Sequence, residues 1–383
     1  METASPATEM LGRLIAFDTV SRNSNLDLIA YAQELLEKAG ATSRLTYDAD
    51  KRKANLFATI GPARDGGYVL SGHSDVVPVE GQDWSSDPFK ADVRDSRLYG
   101  RGSADMKGFI AVVLSLAPEF ARLELKRPLH FAFSFDEEVG CLGVRRLLED
   151  LKTANIRPAL AIIGEPTEMR IVAAHKSGSV IETMVRGREG HSSAPLRGAS
   201  AVMMAGEFVA SLARLGNELM ADRDDFFDPP YTTLQANMIS GGTAVNVLAR
   251  DAKVMWEYRA LPDRDAAAIF ERAKAQGESI AARYRAGAPE AAFETRLKAA
   301  YPGLARDDHS AAVQLAASVS GSNEIHSVAY GTEAGLFQAA GIPAVVCGPG
   351  SIAVAHRADE FIALDQLDAC AAFLRRVANR AAQ

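Results

Sequence analysis

Several short stretches of this chain carry residues able to hold metal ions and to move a proton. Ser71-Gly72-His73-Ser74-Asp75 is followed by Gly102-Ser103-Ala104-Asp105-Met106-Lys107-Gly108, by Asp136-Glu137-Glu138, by Gly164-Glu165-Pro166 and, near the end, by Ala355-His356-Arg357. The imidazoles of His73 and His356 and the carboxylates of Asp105, Glu138 and Glu165 are the donor types that a pair of zinc ions takes. Two such ions about 3.5–4 Å apart, sharing one carboxylate and one water, clamp an attacking oxygen and a developing oxyanion together. Formal charge agrees, because two Zn²⁺ against three carboxylates and a hydroxide leave a neutral cluster that a partly buried site tolerates.

Each stretch also has a plainer reading. His73 and Asp75 are two apart, so their side chains can share a side and Asp75 can take the imidazole N–H turned away from the metal; a His-x-Asp pair also arises by chance. Asp105 is bracketed by Gly100, Gly102 and Gly108, where backbone can approach a ligand closely, or it caps a helix starting at Gly108. The same loop lacks G-x-x-x-x-G-K-[ST], which sets a phosphate cradle aside. Glu137 and Glu138 point in divergent directions, so one can bind metal while the other serves the water. Zinc lowers a water pKa to roughly 7, but a base must still take the proton and deliver it to the leaving nitrogen. The alternative is a solvated Asp-Glu-Glu loop. Glu165 closes the apolar run Leu160 to Ile163 and needs a partner there.

The elements that must position these residues are legible as alternating apolar runs. Asn25 to Lys38 places Leu28, Ile29, Ala32, Leu35 and Leu36 on one helical face, with Gly40 after it. Runs at 55–60, 68–71, 129–135 and 159–163 predict strands, and 108–121 predicts a helix. Strands alternating with helices imply an α/β domain with a mixed, mostly parallel sheet, whose sites gather at the carboxyl ends of strands. From Ser177 the texture changes to βαββαβ: strands at 180–186, 232–239, 253–260 and 292–297, with helices at 199–215 and 266–285. This is a small ferredoxin-like α+β unit. The chain then returns to α/β texture with a helix at 307–319, a strand at 342–347 and a helix at 365–378. The expected division is a discontinuous domain of residues 1–176 and 298–383 with 177–297 inserted.

Composition narrows the function classes. The chain has 383 residues, and its net charge of −7 leaves no basic patch for a phosphate backbone, so no nucleic-acid partner is expected. Cys141, Cys347 and Cys370 lack C-x-x-C spacing and read as small core residues of a protein in a reducing compartment. Met1 to Thr19 lacks the basic and apolar regions of a leader, and no run approaches the ~20 residues of a membrane span. A cytoplasmic protein without membrane attachment is the expectation.

The ordered motifs G-H-S-D-V-V-P (72–78), W-S-S-D-P-F (84–89), Y-G-R-G-S-A-D-M-K-G (99–108), F-D-E-E-V-G (135–140), G-E-P-T (164–167), G-H-S-S-A-P (190–195) and G-P-G-S-I-A-V-A-H (348–356) together resemble the M20 family of zinc amidohydrolases and peptidases. Within it, Gly331-Thr332-Glu333-Ala334 with 348–356 is most similar to the acetylornithine deacetylases. The resemblance implies two Zn²⁺, replaceable by Co²⁺ or Mn²⁺. His73, Asp105 and Glu165 would hold one, and Asp105, Glu138 and His356 the other. It makes Glu137 the general base and acid, Asp75 the partner of His73, and the Asp105–Met106 peptide cis. It implies that the insert is a lid and dimerisation domain of a homodimer, with His191 an oxyanion donor for the partner subunit; a histidine in such a turn is otherwise merely solvated. It assigns Arg259, Asn246 and Thr332 to the substrate, a small N-acyl amino acid. A structural ion pair of Arg259 with Glu257 or Asp263 is the alternative there.

The implied reaction is hydrolysis of N²-acetyl-L-ornithine to L-ornithine and acetate by a metal-activated bridging water, a step of arginine biosynthesis. The sequence departs from the commoner T-E-A-P-F and A-H-Q or A-H-K patterns at Gly335, Leu336 and Arg357, near the expected place of the substrate side chain. A broad N-acyl-amino-acid deacylase, a succinyl-diaminopimelate desuccinylase or a dipeptidase of the same family therefore stays open. A catalytically silent binding protein on this scaffold is the rival of another class.

Overall fold

The computed structural model describes residues 5–63 and 65–383; the first four residues of the stretch read for a leader lie outside that set. The chain divides into two compact units. One holds the residues up to Ala174 with Leu304–His326 and Thr332–Gln383, and the other holds His175–Gly303 with Ser327–Gly331. The later end, at 303 rather than 297, has a local cause. The strand begun at Ala292 passes a bulge after Leu297 and stays paired with Gly178–Val180 as far as Tyr301.

The first unit opens with α1 (Pro6–Ile15), α2 (Leu26–Lys38), β1 (Thr42–Tyr47), β2 (Ala54–Ile60) and β3 (Tyr68–His73). There follow α3 (Gly108–Phe120), β4 (Leu129–Ser134), α4 (Leu142–Thr153), β5 (Leu160–Pro166) and β6 (Ile171–His175). The second unit is β7 (Gly178–Arg186), α5 (Ala201–Leu219), β8 (Thr233–Gly241), β9 (Asp251–Arg259), α6 (Ala266–Tyr284) and β10 (Ala292–Tyr301). The chain closes with α7 (Ala311–Ser320), β11 (Ile325–Val328), α8 (Ala334–Ala339), β12 (Ala344–Gly348) and α9 (Leu364–Ala381).

An eight-stranded sheet runs β1-β2-β4-β3-β5-β12-β6-β11. Its centre, β4-β3-β5-β12, is parallel, and antiparallel pairs flank it. Every residue of β3, β4 and β5 is buried, the pattern of strands covered on both faces. Across that sheet, α3 buries Phe109, Ile110, Val112, Val113, Leu114, Leu116 and Phe120, which explains why its sequence is apolar all round. Each such side chain contributes about 1.5–3 kcal/mol by leaving water.

In the second unit the sheet order is β8-β9-β7-β10, antiparallel throughout. Strand β9 alternates buried and half-exposed residues, and its inner Trp256 packs edge-on against Phe208 of α5. The indole N–H is satisfied by Thr183 Oγ1 at 2.9 Å. Among the described residues no helix is long and apolar enough to cross a membrane.

Candidate metal centre and active site

Parallel strands bring their carboxyl ends to one edge, and this is where the chemistry-bearing residues of the first unit collect. Strand β3 ends on His73, β4 leads into Asp136-Glu137-Glu138, β5 carries Glu165, and the chain leaving β12 reaches His356. Asp105 comes from an irregular turn, Ser103–Lys107, entered through Gly102 at φ 79°. A Cβ on Gly102 would lie 2.7 Å from Val76, so both conformation and space call for glycine there. The Asp105–Met106 peptide is cis.

The donor atoms form two triplets. His73 Nε2 lies 3.1 Å from Asp105 Oδ1 and 3.6 Å from Glu165 Oε1. His356 Nε2 lies 3.1 Å from Asp105 Oδ2 and 3.1 Å from Glu138 Oε2. Asp105 thus offers one oxygen to each imidazole. Atoms bound tetrahedrally at about 2.0–2.1 Å from zinc stand about 3.3 Å apart, close to the three separations of 3.1 Å and a little under that of His73 to Glu165. Among the described residues, ligand atoms of His73, Asp105 and Glu138, and of His73, Glu137 and Glu165, also lie within 4.8 Å of one another. Glu138 Oε1 is buried and has no hydrogen-bond partner, a deficit of about 1–3 kcal/mol that a cation among these donors removes. The residues fit a divalent metal centre.

Their electrostatics agree. Burial pushes Glu137 up to about 8, with His73 pulling against it and Glu138 adding to it. Burial and then Asp105 raise Glu138 to about 7, and the same two causes lift Glu165 well above the carboxylate range. His356 is held up at about 10 by its hydrogen bonds to Asp105 and Glu138. Burial opposes the charge on His73, yet Glu165 and Asp105 outweigh it and raise its pKa. For Asp105 burial is likewise outweighed, here by the two imidazoles, which hold it well below its usual range. Protons are therefore retained where bound metal would release them.

Asp75 acts differently from expectation. His73 Nδ1 bonds the Asp75 main-chain carbonyl at 2.9 Å, while the nearer carboxylate oxygen stands off at 3.7 Å. The carbonyl therefore fixes the tautomer and leaves Nε2 facing Asp105 and Glu165. The Asp75 carboxylate accepts instead from Ser21 Oγ at 2.7 Å and from the backbone N–H groups of Glu137 and Glu138 at 3.0 and 3.3 Å. The physical reason is the turn beyond β3, which points the carbonyl back at the ring and the side chain across to the loop after β4. Cys141 is buried as expected of a core residue, but its thiol also meets Glu137 Oε1 at 3.2 Å.

Thr332 is fully buried, and its hydroxyl accepts the Ala334 N–H at 3.0 Å at the start of α8. Its neighbour Glu333, given no role from sequence, is buried beside the site and accepts from Ser134 Oγ at 2.5 Å and Ser71 Oγ at 3.4 Å. Burial raises it to about 7, against the hydrogen bond from Ser134. The missed signal was Ser71 and Ser134 themselves, polar residues in otherwise apolar strands that need a buried partner.

Three assigned residues belong to the second unit. Exposed His191 pairs with Val247 in a two-residue ladder, and the carbonyl of exposed Asn246 accepts the Ser192 N–H at 3.1 Å, so the two lie side by side. His191 Nδ1 accepts the Ser193 N–H at 3.2 Å, which puts the proton of the neutral ring on Nε2. Arg259, at the end of β9, lies 3.5 Å from Glu257 Oε2 and donates to the Tyr301 hydroxyl at 3.4 Å.

Comparison with known proteins gives a consistent picture. Residues 69–380 match peptidase family M20/M25/M40. The acetylornithine deacetylase of Myxococcus xanthus is 38% identical over 96% of this chain and 95% of its own length. That of Pasteurella multocida (strain Pm70) is 33% identical over 94% of each. An M20 family metallo-carboxypeptidase from Sulfolobus solfataricus shares the fold, with a TM-score of 0.80 at 17% identity and 99% of both chains covered.

Proposed function

The chain belongs to peptidase family M20/M25/M40 and is an amide hydrolase, and from that premise we propose a dinuclear zinc enzyme that converts N²-acetyl-L-ornithine to L-ornithine and acetate, a step of arginine biosynthesis. The observation carrying the hydrolytic reading is Asp105 spanning His73 and His356 with Glu137 alongside. His73, Asp105 and Glu165 would hold one ion, and Asp105, Glu138 and His356 the other. When bound, such ions polarise an amide carbonyl and bring a water pKa to roughly 7.

The side chains then divide the remaining work. Glu137 has one oxygen against the Cys141 thiol, and its other oxygen is left to take the proton of the attacking water. It then passes that proton to the departing amine nitrogen, regenerating the carboxylate. His191, carrying its proton on Nε2, is the oxyanion donor to the partner chain in a homodimer built through the second unit. Arg259 offers a planar fork to the substrate carboxylate, with Asn246 as a further polar contact.

The acetylornithine assignment is supported by the two deacetylases that match almost end to end. It is tested by initial rates of zinc-loaded protein on N²-acetyl-L-ornithine, N-acetyl-L-methionine and N-succinyl-diaminopimelate at matched concentrations. A dominant rate on the first supports the assignment; faster hydrolysis of another moves the substrate and leaves the amide chemistry in place.

A further inference from the structure

Two ligands of the second triplet, Asp105 and His356, sit on irregular chain. Asp105 lies in the turn after Gly102, and His356 adopts φ 62°, a left-handed conformation uncommon for a residue with a side chain. His73 and Glu165, by contrast, are carried by β3 and β5. Something must hold the two irregular segments together if Asp105 Oδ2 and His356 Nε2 are to stand 3.1 Å apart.

Glu360 and Arg101, each 1% exposed, provide that hold. Glu360 Oε1 accepts the N–H groups of Ala104 at 2.9 Å and of Asp105 itself at 3.0 Å. Its Oε2 accepts the Gly102 N–H at 3.1 Å and Arg101 Nη1 at 2.7 Å. Those four donors saturate the carboxylate. From the other side, Arg101 donates to the Arg357 carbonyl at 3.3 Å and to Gln82 Oε1 at 2.6 Å. Gln82 Nε2 in turn donates to the His356 carbonyl at 2.9 Å. A single connected network therefore begins on the backbone amide of one metal-ligating residue and ends on the backbone carbonyl of another.

We propose that Glu360 and Arg101 are positioning residues of the metal centre, which clasp the Asp105 turn to the His356 segment and so set the Asp105–Glu138–His356 triplet. This rests on the two-metal reading. The clasp holds Asp105, which both ions would share, and the His356 segment, which only one would use, so its loss weakens the Asp105–Glu138–His356 ion more than the other. Glu360→Gln keeps an oxygen for Ala104 and Asp105 but turns a donor toward Gly102 and Arg101. Arg101→Lys keeps the charge and loses the fork that reaches Glu360, Gln82 and Arg357 together.

The test is a zinc titration of chelator-stripped full-length protein against a competing chromophoric chelator, with circular dichroism to verify the fold. Wild type binds two zinc ions per chain. Both variants bind one ion at least about tenfold more weakly, the scale of losing an outer-shell support, and the other with a smaller loss. Two unchanged affinities in a folded variant, or equal weakening of both ions, overturn the clasp. A wild-type chain that binds no zinc tightly overturns the two-metal reading, and the clasp with it.

Discussion

His73, Glu165 and Asp105 are at most 5% exposed and converge atom on atom, whereas His191 and Asn246 stand exposed on a two-residue ladder and the loop before it. The contrast shows what physics alone can identify. Buried charges must be paired, so a buried cluster in which Glu138 leaves one carboxylate oxygen without a partner suits a cation. Exposed polar residues are satisfied by water, and their arrangement implies nothing until a ligand arrives. The first group is brought together by the fold itself, and the second leans on family resemblance and on the tautomer that Ser193 imposes on His191.

The largest effect should come from within the buried group. Glu137→Gln removes the proton carrier without touching the ligand triplets, so kcat should fall by roughly 10²–10⁴ while both zinc ions remain bound. A Glu137→Gln protein with near-wild-type turnover would break the division of labour between Glu137 and Glu138. Next in size is a residue of the exposed unit. If Arg259 grips the substrate carboxylate, Arg259→Ala loses a charged hydrogen bond of about 1.5–3 kcal/mol, raising KM roughly tenfold or more with a smaller change in kcat. An unaltered KM would leave Arg259 as the structural partner of Glu257.

The smallest effect tests the electrostatics of the buried group. Glu333 is raised to about 7 chiefly by burial, so its neutral form favours the folded state. That contribution is full below about pH 4.5 and is lost as pH rises through 7. Metal-free Glu333→Gln should therefore lose less stability than metal-free wild type between pH 5 and pH 8, by on the order of 1 kcal/mol, because neighbouring carboxyls share the repulsion. Melting temperatures at the two pH values measure this, and parallel pH profiles would refute it.

The same contrast explains what was legible in the sequence. Strands β2 to β5 and helix α3 announce themselves because burial on both sides leaves runs of apolar residues. Strand β1 does not, since as an edge strand it is half-buried, polar and paired on one side only. Amphipathic α4 sits on the surface with only Gly143, Val144, Leu147 and Leu151 buried, and it follows so closely on the Asp-Glu-Glu loop that it was missed. Among side chains, the candidate metal-binding residues are readable from type and order, while Glu360 carries no local signal because its partners, three main-chain amides and Arg101, are distant in sequence. The sequence places Asp75 beside His73, but it cannot say that the carbonyl rather than the carboxylate makes the contact.

The most direct test of a two-metal amide hydrolase is to return zinc stepwise to chelator-stripped protein while recording bound metal and the rate of N²-acetyl-L-ornithine deacetylation in the same samples. Two Zn²⁺ bound per chain, with the rate rising from near zero and saturating as the second fills, is the expected result. Full activity at less than one bound zinc per chain would contradict it.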